Sequence, residues 1–389
     1  MRGSGDESRR FTHIQLKNWR NFLRVEATLE RRTYLAGPSA SGKTNFLDLF
    51  RFLHDLVTPG VGFQEAVRKR GGLRKLRCLA ARQDSDIGIL VHAGAGGDPA
   101  GWEYELHFNQ ESQPRPVIKR ERFLSSGREV LVRPDERDSA APECLERTLL
   151  EQESSRDDLR ELAAFFRSIR YWHLAPQLVR EPERPAVREQ DAFGGDLLDR
   201  MAAMPEKTCR ARLRFILETL HDAVPRIEQL DVRRDARGRP HLRARHEHWR
   251  SRGAVQTEQQ LPDGALRLIG LLWTALEGGG PLLAEEPEIS LHPQAVRLIS
   301  GMLARLGRRS DRQLLMTTHS PDLVAGDSVR LSEILLFLPE DEATIVRPVL
   351  SAAEVRTMLE EGFGEREERP AGSAADDENQ IELFDPSGA

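Results

Sequence analysis

The residues best equipped for chemistry fall in three short runs. Gly37-Pro38-Ser39-Ala40-Ser41-Gly42-Lys43-Thr44 has the spacing GxxxxGK[ST]. Glycines let the backbone wrap closely, so successive N–H groups point into one anion-binding cradle, and a following helix adds the positive end of its dipole. In such a cradle Lys43 reaches the β- and γ-phosphates of a nucleotide, and the Thr44 hydroxyl binds Mg²⁺. The second run, Leu282-Leu283-Ala284-Glu285-Glu286-Pro287, is an apolar stretch ending in two carboxylates. Neighbouring side chains on a strand point to opposite faces, so the two acids are expected to differ in role. Glu285 is placed to face the metal, through water, and Glu286 to polarise an attacking water as general base. The third run, Leu314-Leu315-Met316-Thr317-Thr318-His319-Ser320-Pro321, ends a second apolar strand in a histidine. In a parallel sheet ligands gather at the carboxyl ends of strands, which places His319 near the γ-phosphate.

These runs need a framework. Alternating polarity predicts strands over Phe11–Leu16 and Val25–Glu30, and a short buried strand over Thr33–Ala36 that feeds the glycine-rich loop. Phe46, Leu49, Phe50, Leu53 and Leu56 fall on one helical face, so a helix is expected from Lys43 to Leu56. Antiparallel strands are expected over 87–92, 102–108, 117–123 and 129–132, then helices between 143 and 221, and a hairpin over 227–249 with its turn at 236–239. Beyond it come a helix over 266–276, a strand over 281–284, a helix over 293–306, and strands over 313–318 and 333–338. The composition after Glu365 predicts a disordered tail. The fold class is therefore α/β, a P-loop NTPase with a mixed sheet flanked by helices, interrupted by a β-rich arm and a helical insertion. Residues 1–85 are expected to form an N-terminal lobe, 86–255 the arm and insertion, 256–350 a C-terminal lobe, and 351–389 a terminal helix and tail.

Composition narrows the classes. The chain has 389 residues, with 57 basic and 62 acidic side chains and a net charge of -5, so no global basic field draws nucleic acid. No uncharged apolar run is long enough to span a bilayer, and the N-terminus lacks an apolar signal core. Cys78, Cys144 and Cys209 lack CxxC spacing and suit a reducing compartment. A cytoplasmic location without membrane contact is the expectation.

The order of the motifs resembles the ABC-type ATPases of the SMC, RecF and OLD group, and among them the AAA-labelled bacterial ATPases of defence operons. The matching residues are Gly37 to Thr44, then Leu261-Pro262-Asp263-Gly264-Ala265-Leu266-Arg267, then Glu285-Glu286-Pro287-Glu288-Ile289-Ser290-Leu291-His292-Pro293, then Thr317 to Pro321. Asn18-Trp19-Arg20-Asn21-Phe22 resembles the family's N-terminal strand-turn, which implies that Arg20 approaches the nucleotide, as Asn45 does from the helix start. The resemblance implies an Mg²⁺-dependent ATPase whose signature segment, carrying Leu261, Pro262, Asp263, Gly264, Ala265 and Arg267, contacts the γ-phosphate held by a second subunit in a head-to-tail homodimer. Two departures stand out: Pro262 replaces the usual signature Ser, and Glu285 replaces the usual Asp. Gln83 is placed for the family's Q-loop glutamine.

The resemblance also implies partners: DNA, and a separate effector, since no acid-rich nuclease segment follows His319. Arg68–Arg82 and the hairpin Arg233–Arg250 are the basic stretches for DNA contact. Gln380-Ile381-Glu382-Leu383-Phe384 is similar to peptides that dock on sliding clamps. DNA repair, DNA surveillance or phage defence is the implied setting. The rival functions are an ATP-binding scaffold or clamp with little turnover, and a transporter motor subunit.

Overall fold

The computed structural model describes residues 9–364 apart from 83, 96–97, 111–114, 153–155, 182–190, 225 and 247–253. Gln83, Arg250 and the segment Gln380–Phe384 lie outside the described residues.

The chain opens with β1 (Arg10–Trp19), β2 (Phe22–Thr28) and β3 (Arg32–Ala36), and then helix α1 (Lys43–Leu56). Helix α2 (Gly62–Lys69) follows, then β4 (Ile87–Ala95), β5 (Asp98–Asn109), β6 (Val117–Ser125) and β7 (Arg128–Arg133). Helix α3 (Asp157–Arg167) leads into the three-residue β8 (Arg170–Trp172). After α4 (Glu206–Leu220) come β9 (Ile227–Arg234), β10 (Pro240–His246) and β11 (Ala254–Thr257). The C-terminal part runs α5 (Asp263–Leu276), β12 (Leu282–Glu285), α6 (Pro293–Leu306), β13 (Leu314–Thr318), β14 (Ile334–Glu340) and β15 (Ala343–Pro348).

These strands form three sheets, ordered β2-β1-β4-β5-β6-β7, β11-β10-β9 and β15-β14-β3-β13-β12-β8. The first is antiparallel throughout. The third is parallel except for β15, which closes its edge as the antiparallel partner of β14. Strands buried on both faces read as nearly continuous apolar runs, which is how β12, β13 and β14 read in the sequence. Period-two alternation then divides their side chains between two cores. Leu283, Leu315 and Phe337 join the core shared with α1 and the first sheet. Leu282, Ala284, Leu314 and Met316 join the core shared with α4, α5 and α6.

Helix α1 ties the two large sheets together. Its Phe50 ring lies 4.8 Å from that of Phe11 on β1, and its Phe46 ring 5.4 Å from that of Phe337 on β14. Every residue of the expected α1 stripe is buried. Edge-to-face pairs of this kind fix orientation as well as burying area.

The strands of residues 87–133 are present as expected, but they do not stand apart from the N-terminal lobe. β4 hydrogen-bonds to β1 along its length, with Ile14 opposite Val91 and Leu16 opposite Ile89. The expected boundary at 85/86 therefore runs through a continuous sheet. A second long-range feature binds this sheet to the loop after it. Arg133 ion-pairs with Asp138 at 2.6 Å and with Glu121 at 3.3 Å, all three being buried.

Candidate functional site

Parallel strands carry their carboxyl ends to one edge, and the register here aligns four of them. Ala36 stands beside Thr318, Glu285 beside Thr317, and Ala284 beside Trp172. The residues that leave these strands therefore meet at one place. They are Gly37 after β3, Glu286 after β12, His319 after β13 and His173 after β8.

The glycine-rich loop occupies the centre. Its tip, Ser39 and Ala40, is exposed, whereas Gly37 and Ser41 are buried. Gly42 has φ 91°, the left-handed region that glycine adopts without a steric penalty. A Cβ on Gly42 would stand 2.1 Å from the Asn21 side-chain nitrogen, so that close approach also requires glycine. The Lys43 ammonium folds back over the loop and donates to the carbonyls of Gly37 at 2.8 Å and Pro38 at 2.7 Å. Burial pulls its pKa down, while Glu286, Glu288 and Glu285 oppose that pull. A cation in a site lined by backbone N–H groups and the start of α1 fits a polyphosphate.

Arg20 and Asn21 sit at the tight turn between β1 and β2. Arg20 donates to Asp48 of α1 at 2.9 Å, an ion pair that occupies the guanidinium expected to approach nucleotide. The neighbouring Asn21 does reach the loop: its amide donates to the Ser41 carbonyl at 3.3 Å and to Thr344 Oγ1 at 2.7 Å, and its carbonyl accepts from Asn45 at 2.8 Å.

The two acids are held differently. Glu285 accepts from the Thr44 hydroxyl and, on its other oxygen, from the Tyr171 hydroxyl of β8. His173 Nδ1 lies 4.0 Å from the same carboxylate. Thr44 and Glu285 thus bring a hydroxyl and a carboxylate oxygen, both hard donors, to one point beside the loop, and this donor set fits Mg²⁺. Glu286 leaves the strand with φ 43° and donates its backbone N–H to Thr317 Oγ1 at 3.1 Å. That turn, rather than strand alternation, aims its carboxylate at His319 Nδ1, 3.1 Å away. The hydrogen bond from His319 holds the Glu286 carboxyl below its ordinary range and raises the imidazole above its own. An ionised carboxylate beside an imidazole can accept a proton from water while the imidazole donates toward an anion.

The signature segment folds as the start of α5. The helix begins at Asp263, three residues before the sequence expectation, with Pro262 as its exposed N-cap. Asp263 ion-pairs with Arg180 at 2.6 Å, and Arg180 also donates to the carbonyls of Leu261 at 2.7 Å and Glu258 at 3.1 Å. Gly264 packs so tightly on the turn after β12 that a Cβ would meet Leu291 at 2.5 Å. Leu261 and Ala265 are buried, and Arg267 is buried with its Nε and Nη1 making no hydrogen bond.

Neither expected basic stretch is wholly available at the surface. Arg70 is buried against Asp48 at 3.0 Å and Asp55 at 2.7 Å, because the turn after α2 packs it onto α1. Arg68 is paired with Glu65, and Arg82 with Glu342 at 3.1 Å. On the hairpin, Arg233, Arg234, Arg237 and Arg245 are exposed, and Arg239 is half-buried.

Sequence reasoning missed Tyr171, on a strand of three residues, and His173, which follows it, both inside a segment read as helical. Asn21 and Glu288 stood within recognised motifs but carried no assigned role.

Residues 32–325 match the family model described as "AAA domain, putative AbiEii toxin, Type IV TA system". The chain belongs to this family. Among solved structures, the SMC head domain from Thermotoga maritima superposes with a TM-score of 0.50 at 13% identity, covering 88% of this chain and 100% of that one. The SmcHead bound to the C-winged helix domain of ScpA gives a TM-score of 0.54 at 14% identity, covering 87% and 98%. At these identities the likeness shows the fold alone, that of an SMC head domain. Over 57 residues the chain is 39% identical to Endonuclease GajA of Bacillus cereus (strain VD045), a match covering 15% of this chain and 10% of GajA. Among the described residues no helix is long and apolar enough to cross a membrane.

Proposed function

We propose that this protein binds ATP with Mg²⁺ and hydrolyses its γ-phosphate, as the moving part of a defence or DNA-surveillance system with a separate effector. The observation that carries the reading is the meeting of Lys43, Thr44, Glu285, Glu286 and His319 at one edge of the parallel sheet. The loop N–H groups and Lys43 hold the phosphates, and Ser39, Ala40, Ser41 and Asn45 complete the cradle. Thr44 and Glu285 hold the metal, which when bound neutralises phosphate charge. Glu286 orients and deprotonates the attacking water, and His319 keeps Glu286 ionised and donates to phosphate. Arg20 braces α1 through Asp48, and its neighbour Asn21 reaches the loop.

A single chain leaves the γ-phosphate open on one side. The start of α5, with the free backbone N–H groups of its first turn around Gly264 and the cation of Arg267 behind them, is suited to the phosphate of a second subunit, which gives a head-to-tail dimer closed by ATP. The family's toxin description and the GajA match support a defence setting with an effector nuclease. The exposed arginines of the β9–β10 hairpin support contact with DNA. The segment Gln380–Phe384 remains our candidate ligand for a sliding clamp.

A clamp that binds ATP but turns it over slowly is the second reading. Pro262 offers no hydroxyl at the signature N-cap, and Glu285 is drawn toward Thr44 and Tyr171. Phosphate release from ATP by the full chain, with and without Mg²⁺, together with sedimentation in each state, separates the two. Mg²⁺-dependent release with an ATP-dependent dimer supports the enzyme, and a dimer without release supports the clamp. ATP that neither binds nor dimerises the chain overturns both.

A further inference from the structure

Two residues beyond Glu286 the chain buries a second carboxyl. Glu288 is 5% exposed. Its Oε1 accepts from the Thr318 hydroxyl at 2.6 Å and from the backbone N–H of His319 at 3.3 Å. Its Oε2 makes no hydrogen bond to another residue. Burial raises its pKa. Glu288, Ser290, Leu291, His319, Ser320 and Asp322 line a cleft of about 420 Å³ beside this turn. The His319 ring is held by Glu286, and its backbone by Glu288.

We propose that Glu288 is a positioning residue of the hydrolytic site: it latches the end of β13 to the turn after β12, and so sets where His319 holds Glu286. The inference rests on the hydrolytic reading above for its catalytic consequence, but the latch itself is independent of it. One carboxyl spans both strands' exits, since Thr318 and His319 belong to β13 and its exit while Glu288 belongs to the turn. Without it, the exit of β13 is no longer tied to the turn after β12, and the imidazole shifts relative to the Glu286 carboxylate that it aims. A displacement of about 1 Å at a reacting group is enough to cost on the order of 10²-fold in rate.

The test compares Glu288→Ala, Glu288→Gln and Thr318→Val in the full chain, by steady-state ATPase assay and by NMR titration of the His319 imidazole, assigned with His319→Asn. In Glu288→Ala, kcat is expected to fall by on the order of 10²-fold with KM for ATP unchanged. The His319 titration should move toward that of an ordinary histidine. Glu288→Gln keeps an acceptor oxygen in the same place for Thr318 and the His319 N–H and should restore most of the lost rate. Thr318→Val removes the hydroxyl alone and should lower kcat in the same direction. Wild-type kcat and a wild-type His319 titration in Glu288→Ala would overturn the proposal, as would a Gln variant as slow as the Ala variant. If the wild-type chain hydrolyses no ATP, the functional reading fails, while the His319 titration still decides the latch.

Discussion

If Glu285 holds the metal as proposed above, Tyr171 is the residue placed to orient its carboxylate. Its hydroxyl donates to one Glu285 oxygen, leaving the other toward Thr44. Burial and the adjacent Glu285 charge both raise the Tyr171 pKa, so the hydroxyl remains a donor across the accessible pH range. The perturbation is Tyr171→Phe, which removes one oxygen and keeps the ring that Arg51 covers at 4.3 Å. A hydrogen bond to a charged acceptor contributes about 1.5–3 kcal/mol. If that energy orients the metal carboxylate, its loss weakens Mg²⁺ binding by about 10- to 100-fold, at about 1.4 kcal/mol per decade. The assay is the Mg²⁺ concentration giving half-maximal ATP hydrolysis, with metal-free binding of a fluorescent ATP analogue as control. The half-maximal concentration should rise, and metal-free nucleotide affinity should stay at the wild-type value. An unchanged Mg²⁺ requirement in a folded Tyr171→Phe protein would refute the orienting role.

Three further outcomes follow from the same geometry. The Glu286–His319 pair makes stability pH-dependent in a defined window. The imidazole pKa is raised above 6.5, so its contribution is full below that value and lost as pH rises through the raised pKa. The carboxyl pKa is depressed below 4.5, so its contribution is present above that value and lost as pH falls through the depressed one. Wild type should therefore exceed His319→Asn in denaturant midpoint most between these two pH values, by on the order of 1 kcal/mol for a half-buried pair, and least in alkali. Equal differences at all pH values would contradict the pairing. Gly42→Ala forces a left-handed non-glycine residue and displaces Asn21, which together should cost about 2–4 kcal/mol in urea unfolding, against no change if the loop relaxes freely. Arg133→Met strands the buried Glu121 and Asp138 and should cost about 3–5 kcal/mol, whereas a cost within error would mean that the cluster does not hold the β6–β7 end together.

The parts of the site that periodicity and spacing made legible are those written in contiguous residues. The loop from Gly37 to Thr44, the apolar strands ending at Glu285 and Thr318, and the α1 stripe each carry a local signal, and their order supplied the family. Contacts across the sheets carry no such signal. Tyr171 reaches Glu285 because β8 pairs with β12, and three residues are too few to show a period. Likewise β4 reads as an independent strand until its register with β1 joins it to the N-terminal lobe. Arg20 shows how a motif's neighbours redirect a side chain: Asp48, one α1 turn beyond Asn45, captures the guanidinium, and Asn21 touches the loop instead. Glu286 escapes strand alternation because its φ of 43° places it in the turn, a conformation that residue type alone does not announce.

The most direct measurement is single-turnover hydrolysis of ATP by Glu286→Gln in excess protein with Mg²⁺, with bound nucleotide quantified at the same time. Lys43, Glu286 and His319 acting on one triphosphate require that the variant bind ATP as wild type does and hold it unhydrolysed, with a rate lower by about 10²-fold or more. Hydrolysis at the wild-type rate, or loss of ATP binding in a folded protein, would contradict their convergence on a single nucleotide.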